Sequence, residues 1–378
     1  MVLLAVFVGQ GLMFIRANSQ TFDEAIHLVS GYSYLTTRDF RLFPQHAPLV
    51  PELSALPVYL WYRLPFKPIP ELWNRVKEQE IFGWTLGRDF LYGSPVAASR
   101  LLTLSRIPNL LLGAILVALV GWWSFRLWGA AAAIVGIWLA AVDPNLVANS
   151  SLVTSDLAPA LFSFATLYLL WEYKRRTSGW LLAATGISLG LALVSKFSTV
   201  LLLPILALVV IGEGLSLPES KLTNKPGSHA GKMVEGFAAA GLILFFAALV
   251  VPLAYFGFRR GFFGWIAGFQ AVMALQKVGF RAYLMGSYSG QGWWSYFLVA
   301  FLVKTPAGTL FLIFSPYVES ARRSAARKRF SSLFPPSPSS RPHQLARSTS
   351  AFGIFSRCIP FSSSSPRASL QPLFAAPG

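Results

Sequence analysis

A single cysteine, Cys358, stands in 378 residues. It excludes an intrachain disulfide framework and a cysteine-based metal centre. Charge is scarce as well: 12% of residues are charged, where soluble domains carry about a quarter. Acids are scarcest, with 15 Asp and Glu against 32 Lys and Arg. None lies deep inside an apolar run, where ion-coupled carriers keep acids for protons or sodium. That absence counts against a pump or symporter.

What remains is oily. The hydrophobic fraction is 54%, with 31 Phe and 12 Trp, and the mean hydropathy is +0.54. This is a membrane composition with aromatics to spare for interfacial belts. The net charge of +17 is uneven: from Ser320 onward there are nine Lys and Arg and no acid, leaving +8 for the rest. Basic loops facing anionic lipid account for that remainder. The excess sits in a tail with few aromatics to stack on bases, so no nucleic-acid partner is expected.

A membrane-spanning helix needs about 20 apolar residues. The opening run, "MVLLAVFVGQGLMFI", is shorter and lacks a basic leader, so it reads as a short, tilted or start-truncated span rather than a cleaved signal. Residues 16–100 form a long amphiphilic segment without a span. Further apolar runs lie near 101–124, 129–142, 156–172, 179–195, 197–212, 234–256 and 295–315, giving about eight spans. Asp143-Pro144 is a helix-stop signal. Lys174, Arg175 and Arg176 mark a cytoplasmic loop, and Arg126, the 213–232 loop and the tail fall on the same side. Segments 16–100, 143–155 and 257–294 then face outward. Arg259-Arg260 runs against this pattern. The fold class is thus an all-α polytopic membrane protein whose first outward loop carries amphipathic helices. Residues 1–318 form its membrane domain. Residues 319–378, rich in Ser, Pro and Arg, have no hydrophobic period and read as disordered. The switch is abrupt, and a shifted or truncated reading frame explains it as well as a genuine tail does.

The candidate chemistry begins at "TFDEAIHL", 21–28. Thr21 and Glu24 fit a capping box, with Asp23 and Glu24 in the first turn where the helix dipole favours anions. Asp23, Glu24 and His27 share a face, so a cap, a catalytic acid and a divalent metal site all remain open. "FPQHAPL" adds His46 to the same segment. "TSDL" puts Asp156 at the outer mouth of a later span. "LVSKFS" holds Lys196, whose bland reading is snorkelling. "FLVKTP" holds Lys304 inside a span, where a lysine wants an anion such as a lipid phosphate.

This ordered set resembles bacterial membrane glycosyltransferases of the GT-C fold class, family 39 and its relatives, including protein O-mannosyltransferases and lipid A aminoarabinose transferases. The resemblance covers about residues 15–318. It implies a polyprenyl-phosphate sugar donor, a protein, lipid or glycan acceptor outside the cytoplasm, and a catalytic acid at Asp23 with Glu24 beside it. It places the protein in a bacterial inner membrane with its site facing the periplasm. One departure is Gln45-His46-Ala47-Pro48, where many relatives carry Glu-His-Pro-Pro.

With a phosphate leaving group, catalysis needs cations more than an acid. Lys196, Lys304, Arg106 and Arg281 are candidates to bind the donor phosphate. Asp23 is the candidate base, kept ionised by the helix dipole, and transfer would invert the sugar. His27, His46 and Asp156 are acceptor or metal candidates. Two rivals stand beside this reading: a flippase or transporter of polyprenyl-linked lipid, with charges lining its path, and a non-catalytic scaffold indifferent to loss of Asp23, Lys196 and Lys304.

Overall fold

A computed structural model describes residues 1–75, 81–213, 229–278 and 282–315. Arg281, Cys358 and the tail 319–378 lie outside the described residues. The chain divides into two units, Met1–Leu310 and Phe311–Gly378. Of the second, only 311–315 is described, and it is helical.

The first unit is built on helices. In chain order they are α1 (Val2–Ala17), α2 (Glu24–Thr37), α3 (Leu49–Tyr62), α4 (Pro70–Arg75), α5 (Ile81–Tyr92), α6 (Ala98–Trp128), α7 (Ala130–Ala141) and α8 (Pro144–Ser150). There follow α9 (Leu157–Arg175), α10 (Gly179–Leu193), α11 (Leu202–Glu213), α12 (His229–Ala254), α13 (Phe258–Val278) and α14 (Tyr296–Lys304). Among the described residues two helices, Ala98–Trp128 and Val234–Ala254, are long and apolar enough to cross a membrane, or up to four spans if two bent helix pairs each count as one. Val2–Ala17, Gly179–Leu193 and Phe197–Val209 are shorter apolar helices. The chain is therefore a mostly helical, polytopic membrane protein.

α6 organises the unit. At about 1.5 Å per residue its 31 residues outrun a hydrocarbon core of about 30 Å. It packs against α1, α3, α7, α8 and α9, while α10 packs between α9 and α12. Arg126 near its end meets Glu172 of α9 at 3.1 Å, joining the basic ends that the charge pattern places on one side. The Asp143-Pro144 stop is real: α7 ends at Ala141, and Asp143 accepts hydrogen bonds from the Asn145 and Leu146 amides to cap α8.

One expectation changes, and among the described residues one short hairpin accompanies an otherwise helical fold. Segment 16–100 contains helices, but α2 is not an amphipathic surface helix: every residue from Glu24 to Tyr34 is buried. Several of its hydroxyls are satisfied internally. Tyr32 donates to the Leu64 carbonyl, and Ser33 and Thr37 hydroxyls donate back to carbonyls of their own helix. A Cβ at Gly31 would lie 1.9 Å from the Pro51 carbonyl oxygen, so only glycine lets α3 lie this close. The fold is also not purely helical. Ala282–Leu284 pairs antiparallel with Ser287–Ser289, joined through Met285 and Gly286, both at positive φ, as a two-residue primed turn requires.

Candidate active site

Four chain segments distant in sequence meet at the start of α2. The anchor is Arg106. Its side chain is 1% exposed and that of its partner Glu24 is 0%. Arg106 Nε donates to Glu24 Oε1 at 2.7 Å and Nη2 to Oε2 at 2.6 Å. Nη1 donates to the carbonyls of Ile15 and Asn18, and Nη2 to that of Ser19. A guanidinium has five N–H donors, and all five are used. Glu24 is equally saturated: Oε2 also accepts from the Thr21 amide at 2.8 Å and Oε1 from the Val153 amide at 3.0 Å. Burial alone would raise the Glu24 carboxyl, but Arg106 and the two amides outweigh it and hold its pKa below the usual carboxylate value.

This geometry corrects two expectations. Arg106 has no donor left for a phosphate, and Glu24 has no free lone pair for chemistry. Together they tie the end of α1, the start of α2, α6 and the "TSDL" loop. Asn109 reinforces that loop by donating to the Leu152 and Thr154 carbonyls. The Glu24 half of the capping box forms. Asp23 occupies the N-cap position but makes no side-chain cap.

The Asp23 carboxylate is exposed and has no hydrogen-bond partner among the described residues. Partial burial and the nearby Asp156 carboxylate raise its pKa. Desolvation and a like charge thus outweigh the helix dipole at this carboxyl. Asp156, at the N-cap of α9 without capping it, forms an ion pair with Lys196.

His46 completes the group. The Phe43–His46 turn stacks the Phe43 ring on the imidazole at 4.3 Å. Its Nδ1 lies 3.4 Å from Ser155 Oγ. His27 meets it edge-on at 4.8 Å. Burial and Lys196, partly countered by Asp156, lower the His46 pKa to about 4. Burial, His46 and Lys196 lower that of His27, so both imidazoles are neutral at neutral pH. The "QHAPL" loop is held to the Lys196 turn by the Leu49 amide donating to the Val194 carbonyl at 3.1 Å. α13 packs on the same turn through Trp265 Nε1, which donates to the Leu193 carbonyl at 3.0 Å. Beside the ion pair a groove of about 330 Å3 runs between α9 and α11, lined by Lys196, Ser198, Pro159, Leu201, Leu202 and Ile205.

Asp23, His27, His46, Asp156 and Lys196 are therefore neighbours, and Lys304 is not among them. Lys304 ends α14, because Pro306 disfavours a helical Thr305 and Thr305 is extended. It lies at the break of a bent pair of apolar helices. Its carbonyl accepts from the Asn145 side chain, and its ammonium has no ion pair among the described residues. The metal option at Asp23, Glu24 and His27 does not fit either. Glu24 is saturated, and among the described residues no group of three or more His, Cys or acid residues is placed to hold a metal ion. Sequence reading missed Asn109, Ser155 and the structural role of Arg106. The last had a signal: a buried arginine early in an apolar helix demands an acid.

A family model for dolichyl-phosphate-mannose-protein mannosyltransferase matches residues 100–226, a stretch that holds Arg106, Asp156 and Lys196. The match supports a GT-C-like glycosyltransferase. No curated protein and no solved structure gives a significant match.

Proposed function

We propose that this protein transfers a sugar from a polyprenyl-phosphate donor to a hydroxyl acceptor outside the cytoplasm, with inversion. The observation that carries this reading is the Asp23 carboxylate: free of hydrogen bonds, beside Asp156 and Lys196, on a helix end locked by Glu24 and Arg106. The acceptor hydroxyl attacks the anomeric carbon while its proton passes to Asp23. The bond from that carbon to the phosphate oxygen breaks, and the electron pair leaves with the polyprenyl phosphate. A raised pKa makes Asp23 a stronger base, as general-base catalysis favours. Lys196 meets the charge that develops on the phosphate. The apolar wall of the groove, Pro159, Leu201, Leu202 and Ile205, suits the first isoprene units. His46, neutral and at the rim, orients the acceptor.

The wider assignment belongs to the same proposal: about eight spans, a periplasm-facing site in a bacterial inner membrane, and residues 1–318 as the membrane domain. The test measures transfer from a labelled polyprenyl-phosphate sugar in membranes. Asp23→Asn should abolish transfer, a loss of at least about 10²-fold, while the protein stays in the membrane. Normal transfer by that variant would remove Asp23 as the base. Unchanged transfer with Asp23, Lys196 and Lys304 all replaced would leave the scaffold reading.

A further inference from the structure

Arg260 lies on the side of the chain where basic residues are not expected, and the structure gives it a setting. A pocket of about 560 Å3 is lined by Arg38, Asp39, Phe40, Tyr255, Arg260 and Phe263. Arg38 and Arg260 are exposed, and neither has an ion pair among the described residues. The one acid in the lining, Asp39, is paired with Arg41 at 2.7 Å. Two guanidinium groups thus face the pocket without a protein counter-ion.

The position of Arg38 is specified, not loose. It ends α2 at φ 56, a left-handed conformation that costs a non-glycine residue energy and persists only where the surroundings enforce it. Its guanidinium lies 5.6 Å over the Phe256 ring, and Phe256 is itself at φ 54. The lining residue Tyr255 directly follows α12, whose Val234–Ala254 stretch is apolar enough to span. The pocket therefore opens where a span ends, at the depth of lipid headgroups. It is also separate from Asp23. α13 reaches the candidate site at Gly268, where a Cβ would strike the Pro44 carbonyl and the Phe197 ring. Gly268 lies eight residues beyond Arg260, about 12 Å along the helix. A donor phosphate, bonded to the reacting sugar carbon, belongs at Lys196 and does not reach this pocket.

We propose that the Arg38–Arg260 pocket binds the phosphate of an anionic bilayer lipid, with acyl chains against Phe263 and the apolar face of α12. Arginine forks match phosphate oxygens in pairs. The unneutralised charge of the lining favours a headgroup with net negative charge over one that carries its own ammonium.

The test uses the full chain purified in neutral detergent, titrated with phosphatidylglycerol, phosphatidylcholine or inorganic phosphate and read by native mass spectrometry. One phosphatidylglycerol per chain should be retained more tightly than phosphatidylcholine, with affinity that falls as salt rises. Arg38→Asn with Arg260→Gln should weaken it roughly thirtyfold, at the usual contribution of each basic residue near an anionic surface. Asn is chosen because it tolerates positive φ. Arg259→Gln should change nothing. Should the double variant fail to fold by circular dichroism, Arg260→Gln alone, on an exposed helix face, should weaken binding about fivefold. Equal retention of the two lipids, or unchanged affinity in a folded variant, would overturn the proposal. Inorganic phosphate binding as tightly as phosphatidylglycerol would assign the pocket to a free anion and overturn the lipid reading.

Discussion

Arg106 shows how one residue can hold distant segments together with every donor spent inside the protein. Breaking a buried ion pair by removing one partner costs about 3–5 kcal/mol, so Arg106→Ala should unfold at markedly lower denaturant than the parent. Arg106→Met with Glu24→Met should recover only part of that loss. The pair also satisfies three carbonyls and two amides, which an apolar pair leaves bare. Full recovery in denaturant unfolding would reduce Arg106 to a simple ion pair. Acid should destabilise the protein in two stages. His27 and His46, whose folded pKa values are lowered from 6.5, stay neutral in the fold while the unfolded chain takes up protons. Their stage therefore starts as pH falls through 6.5 and continues toward about 4 for His46. Glu24, whose folded pKa lies below 4.5, contributes stability above that value and loses it as pH falls further. Melting temperature against pH reads both stages, and the second should be missing in Glu24→Gln. At Asp23 the like charge of Asp156 raises the pKa. In Asp156→Asn the acidic limb of the transfer–pH profile should shift to lower pH, because Asp23 then ionises more readily and Lys196 is released to favour its anion. An unmoved limb would separate the two carboxylates.

Among the elements, α2 departs furthest from its sequence reading. Tyr32, Ser33, Thr36 and Thr37 bond to backbone carbonyls, and the helix is buried on every side from Glu24 to Tyr34, with only its last turn exposed. Its neighbours approach through glycines. Gly31 admits Pro51, and Gly87 of α5 admits the Ala25 backbone, where a Cβ would come within 2.8 Å. Gly31→Ala should push α3 away, lower stability by about 1–3 kcal/mol, and lower transfer more steeply than Gly9→Ala, where a Cβ meets nothing within 4 Å. Thermal unfolding and transfer on the two variants check this. The caps were more legible. Asp143-Pro144 stops α7 as its sequence announces, and the Glu24 half of the box at Thr21 forms, because both are local interactions. The break at Lys304 was equally local, written in Thr305-Pro306, but the apolar residues on either side concealed it.

Across the whole molecule, sidedness can be measured because the chain has one cysteine. With Cys358 replaced by Ser, Tyr92→Cys, at a site 60% exposed, should react in intact cells with a membrane-impermeant maleimide. Arg176→Cys, 68% exposed, should react only after lysis. The reverse pattern would invert the topology. Composition, apolar runs and basic-residue bias determined by themselves that this is a polytopic helical membrane protein, and the ordered motifs named its candidate acids and lysines. They could do so because burial in lipid and helix signals depend on residues near one another in the chain. Which acid is free and which is spent was decided only by tertiary structure. Asp23 and Glu24 are adjacent and chemically alike, but Glu24 turns toward Arg106, 82 residues away, while Asp23 faces Asp156. A carboxylate's role depends on what neutralises it, and those partners come together only when distant helices pack.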